Sequence, residues 1–194
     1  MRLRRGGRYS SMEKFPSLTK LPENIESEIQ EKISFAKDHA LTEVESLEID
    51  QKEVELEKIC NERELTDDEV EHFFSFRERM NDATIRVSTL PEARRTMEIL
   101  GFDADNLVDT LSHENAHANK AEQLGANHTG YNFIITETKD GRYEVGPQAV
   151  TSTPDDWLAE HKRHVEAQIL QAPDEYGNKM SDSDKQKLKE IYKN

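Results

Sequence analysis

A length of 194 residues with 34% hydrophobic and 34% charged side chains gives a thin apolar supply for a single compact globule, so part of the chain is expected as extended helix or tail. The formal net charge of −14 excludes general nucleic-acid binding, and no apolar run approaches the roughly 20 residues that cross a bilayer, so no membrane partner is expected. Cys60 is the single cysteine, which excludes an internal disulfide and fits a reducing compartment, read as the cytoplasm.

Positive charge gathers at the start. Residues 1–20 read as a flexible basic tail, Arg-rich and without the apolar stretch of a secretory signal. Residues 21–81 read as an acidic helical arm. Ile25, Ile29, Ile33 and Ala36 form a narrow seam on a helix over 22–39, and Val44, Leu47, Val54 and Ile59 mark a second helix over 41–60. Thr66-Asp67-Asp68-Glu69 is a capping box that opens a third, with Val70, Phe73, Phe74 and Met80 inward. The Glu-rich faces read as solvated, or as a docking or inhibitory segment. Narrow seams on charged helices point to a homodimer through these N-terminal elements.

Residues 82–194 mix strand and helix. Ala83–Val87 is a β-branched strand. Ser88 or Thr89 caps a helix that has Pro91 in its first turn and stops at Gly101. A helix over 107–124 follows, with Gly125 as its stop. Residues 131–138 and 143–150 form a β-hairpin around Asp140-Gly141. Thr153-Pro154-Asp155-Asp156 starts a helix that ends before Pro173, and Ser181–Lys193 is a last exposed amphipathic helix. The fold class is therefore α+β and helix-rich.

His113-Glu114-Asn115-Ala116-His117 carries the chemistry. Residues four apart on a helix share a face, with Cβ atoms about 5–6 Å apart, so two imidazoles can hold one tetrahedral metal ion. Glu114 follows the first His and can reach a water on the metal without being a ligand. The plain alternative is a polar helix face that happens to carry two His. Asp109, four residues before His113, can orient an imidazole.

The order strand, motif helix, hairpin, helix resembles the zincin metallopeptidases. The resemblance is carried by His113, Glu114 and His117 and spans about residues 83–171. It implies a Zn2+-dependent metallopeptidase acting on a peptide or protein substrate, with His113 and His117 as metal ligands and Glu114 as general base. Lys120 and Gln123 stand where the metzincin branch has Gly and His, so that branch does not fit. The gluzincin branch takes a Glu from a downstream helix, where this chain offers Glu160, His161 and His164. The close of that helix, from Val165 to Pro173, is similar to the ligand helix of small intracellular zincins of the phage-repressor-cleaving type, which puts His161 at the ligand position in place of Glu. His161 ranks first as third ligand, ahead of Glu160 and His164, with His128 as an outside candidate. Tyr131 and Tyr143 are the oxyanion candidates. A peptide is expected along the edge of the 83–87 strand.

The rival class is a non-enzymatic acidic helical interaction module with a structural metal or none.

Overall fold

Helix α1 (Glu23–Asp38) begins after Pro22, with acids in its first turn and Lys37 in its last, which complements the helix dipole. The structure, a computed structural model, describes residues 21–193, and the basic tail read over 1–20 lies outside the described residues. The α1 seam of Ile29, Ile33 and Ala36 is fully buried in the main core with Ile85, Met97, Leu111 and Phe133. Glu26 pairs with Arg95 from a later helix. So α1 is not part of an arm. Its narrow stripe has enough apolar neighbours, from both sheet and helix, to be built into the core.

Leu41–Thr42 forms a two-residue strand, β1, and Thr42 caps helix α2 (Glu43–Glu62) through a box with Glu45. Helix α3 (Asp67–Asp82) opens on the Thr66–Glu69 box. Arg63 grips Glu69 with two hydrogen bonds of 2.7 and 2.8 Å, and with the Thr66 N–H they hold the Glu69 carboxyl down at about 2. From α3, Arg79 reaches the Glu45 carboxylate at 3.0 Å and the Ala40 carbonyl at 2.8 Å, tying the hairpin to the body. Leu41, Ile49 and Ala83 make a small second cluster there. The rest of the hairpin projects: Val44, Leu47, Val54 and Phe74 are exposed. Phe74, expected inward, therefore points to solvent.

Strand β2 (Thr84–Val87) leads into α4 (Leu90–Leu100), capped by Thr89 and closed by Gly101 at φ 90°. Helix α5 (Ala104–Gln123) carries the HExxH run, and Asp103 caps it by accepting from the Asp105 and Asn106 N–H groups. The hairpin of β3 (Asn127–Glu137) and β4 (Tyr143–Ser152) turns at Asp140-Gly141, as the sequence predicts. Central strand β3 has β4 antiparallel on one side; on the other lie β2, antiparallel, and β1, parallel. Gly130 sits at a bulge with φ 135°, and a Cβ there would meet the Val87 carbonyl oxygen at 2.2 Å, so glycine is required.

Helix α6 (Ala159–Glu175) starts later than Thr153 and runs through Pro173. Leu158 is its N-cap and is 80% exposed. Trp157 packs with Ala121, Ala126, Val165 and Ile169 in a third cluster. Helix α7 (Asp182–Ile191) is capped by Ser181 and Asp184. Among the described residues no helix is long and apolar enough to cross a membrane. The α+β, helix-rich class stands.

Candidate metal centre

One turn of α5 brings His113 and His117 together, with Nε2 atoms 3.2 Å apart. The third donor comes from α7. Asp184 Oδ2 lies 3.0 Å from His113 Nε2 and 3.5 Å from His117 Nε2. The three residues form a cluster that could hold a metal ion. Asp184 is buried because its carboxylate does two jobs. It accepts from the Ser181 N–H at 3.1 Å and from the Ser181 hydroxyl at 2.7 Å, closing the helix cap, and it faces both imidazoles.

Burial would raise the Asp184 pKa, but hydrogen bonds from His113, His117 and Ser181 hold it well below the usual carboxylate range. Burial alone would lower His117; Asp184 and the Ile169 carbonyl outweigh it and raise the ring. His117 Nδ1 lies 2.8 Å from the Ile169 oxygen. A carbonyl only accepts, so Nδ1 carries a proton; when the ring is neutral it is therefore Nε2 that has the lone pair.

Glu114 is buried beside the pair. Its Oε2 accepts from the Ala149 N–H at 2.6 Å. Burial pushes this carboxyl up from its ordinary value, although Ala149 and the two imidazoles pull the other way. The Ala149 N–H faces away from β3, on the free edge of β4. The period of two puts Pro147 on that same edge, where a missing N–H breaks no ladder bond.

A cleft of about 1150 Å³ opens over these groups. Its walls are α5 from Asp109 to His117, β4 from Gly146 to Thr151, and the α6–α7 corner with Lys179, Ser183 and Lys187. Asn132 and Ile134 of β3 reach it, but β2 does not, since β2 lies on the far side of β3 against α1. The strand that borders the site is therefore β4 and not 83–87. Among the described residues, none of α1, α2 or α3 lines the cleft.

The other candidates lie elsewhere. His161 is exposed and packs its ring 4.5 Å from Trp157. Glu160 is exposed, and His164 Nε2 accepts from the Gln168 side-chain amide at 2.8 Å on the outer face. The first turns of α6 thus supply none of the donors, because Val165 is the first residue of the helix to be buried, in the cluster with Ala121 of α5. His128 donates to the Gly130 carbonyl at 3.0 Å and packs edge-on against Tyr131. Tyr131 is buried and gives its hydroxyl proton to Asn115 at 3.4 Å; burial and the Glu114 charge push its phenol up to about 12. Tyr143 stands at the exposed end of the hairpin beneath Lys37. Neither tyrosine lines the cleft. Asp109 lines it without bonding either ring.

Sequence reasoning missed Asp184. The Ser181-x-x-Asp184 box was available as a sign of where α7 starts, but a box does not say which face of the helix turns inward. The chain matches no protein-family model, no curated protein and no solved structure.

Proposed function

We propose that the chain is a zinc-dependent peptidase in which His113, His117 and Asp184 hold the metal and Glu114 is the general base. The spacing of the donors carries this reading. Zinc ligands at about 2.0–2.1 Å in a tetrahedron stand roughly 3.3 Å from one another. The three pairs here are 3.0, 3.2 and 3.5 Å apart. The proton on His117 Nδ1 supports it too, since it leaves Nε2 free to ligate. A zinc ion held by such a set acts as a Lewis acid and lowers the pKa of water toward about 7.

The chain's own groups supply the rest. Ala149 fixes one Glu114 oxygen and so orients the carboxylate, leaving the other to take a proton from the attacking water and pass it to the leaving amine. On the free edge of β4 beside Glu114 the Ala149 N–H is taken and Pro147 has none, so an extended peptide would meet backbone carbonyls there. The likeness to zincins then rests on His113, Glu114, His117 and a carboxylate from a downstream helix, Asp in place of Glu. An exposed free Cys60 fits a reducing compartment, and we assign the chain to the cytoplasm on that ground.

The test has two steps. Protein purified without chelator is assayed for zinc, and Glu114→Gln is compared with the parent on a peptide library. The variant is expected to keep its zinc and lose at least about 100-fold in hydrolysis. A parent that takes up no zinc, or a variant with full activity, sinks the proposal. The exposed Val44, Leu47, Val54 and Phe74 favour a second reading, an acidic helical docking module, which is the one left standing if no metal binds.

A further inference from the structure

Pro173 lies in the last turn of α6, past the point where the helix is expected to stop. In an α-helix the carbonyl of residue i accepts from the N–H of residue i+4. For Ile169 that residue is Pro173, which has no N–H and whose ring crowds the same carbonyl. The Ile169 oxygen is therefore deprived of its helical donor at a buried position, where an unpaired acceptor is costly. His117 supplies the missing donor from the neighbouring helix, with Nδ1 at 2.8 Å. The two helices are locked together at this level by Ala121, Val165 and Ile169, so the carbonyl is presented on a rigid support.

We infer that Pro173 is a positioning residue of the metal centre: by withholding its N–H it keeps the Ile169 carbonyl open for His117, and so sets the ring orientation and tautomer that aim Nε2 at His113 and Asp184. The inference rests on the metal reading above, but it concerns a hydrogen bond that exists without the metal.

Pro173→Ala returns an N–H to position 173, which competes for the Ile169 oxygen. Three readings are expected. The zinc dissociation constant, from competition with a chromophoric chelator, rises about tenfold or more. The metal-free variant unfolds at or above the temperature of the metal-free parent, because the helix regains a bond. At alkaline pH, where imidazole is neutral, the 15N shifts of metal-free His117 move from the Nδ1–H form toward the Nε2–H form. An unchanged tautomer, or a zinc affinity within about twofold of the parent, overturns the inference. So does an affinity loss matched by a lower metal-free unfolding temperature, since that marks Pro173 as a packing residue only. A parent that binds no zinc sinks the metal reading instead, and the His117 tautomer alone then decides whether Pro173 sets the ring.

Discussion

Asp184 and His161 are rivals for the third donor position, and burial separates them. Asp184 touches both imidazoles and is 9% exposed; His161 sits on the outer face of α6 against Trp157. Asp184→Ala is therefore expected to lower zinc affinity by more than about 100-fold, beyond what loss of an orienting partner costs. His161→Ala should leave affinity unchanged and shift stability by no more than about 0.5 kcal/mol, as for an ordinary surface change. Chelator competition on both variants checks this, and the reverse ranking would move the ligand to α6. The motif residues were visible in the sequence because HExxH is a local pattern whose geometry the helix itself fixes. Asp184 was not, because its role depends on a contact 71 residues away. His161 escapes sequence reasoning for a related reason: the helix starts only at Ala159, with Leu158 left in solvent, so the turn that carries His161 has no buried neighbour in the helix before Val165.

At the level of elements, the seam on α1 was legible and its partner was not. Spacing shows that Ile29, Ile33 and Ala36 share a face; it does not show that the face packs on β2 and α4. A domain cut near residue 81 therefore passes through the core. Removing residues 1–80 takes out that seam together with Leu41 and Arg79. Burying an isoleucine contributes about 1.5–3 kcal/mol, and a domain has only about 5–15 kcal/mol to lose. The truncated chain is expected to lose cooperative unfolding and near-UV circular dichroism, whereas a chain starting at residue 21 keeps every described core contact. A truncation at 80 that still melts cooperatively would restore the arm as a separate unit. The caps at Thr66 and Thr89 were legible because each acts within three residues of itself, whereas sequence reasoning missed Thr42, and Thr153 does not cap a helix, since α6 starts only at Ala159.

Over the whole molecule, the site gathers elements that lie far apart in the chain: two rings from α5, a carbonyl from α6, a carboxylate from α7 and an edge N–H from β4. The unfolded chain has no such set, so a metal that binds there binds the native state and shifts the folding equilibrium. At a free zinc concentration of 100 times the dissociation constant the gain is about 2.7 kcal/mol. For a protein of this size each kcal/mol moves Tm by about 2–4 °C, giving a rise of roughly 5–11 °C. Stray binding of zinc to histidines of the unfolded chain would trim that figure, not reverse it. The rise should grow with the logarithm of free zinc, vanish in chelator, and be absent in Asp184→Ala. Helix α7 should respond most, because the Asp184 contact with α5 joins it to the site. Amide exchange in α7 is therefore expected to slow on zinc addition more than in α2, none of whose described residues lines the cleft. A Tm that stays flat across the zinc series would mean that the two imidazoles and the carboxylate hold only one another, and the hydrolytic chemistry would have nothing to rest on.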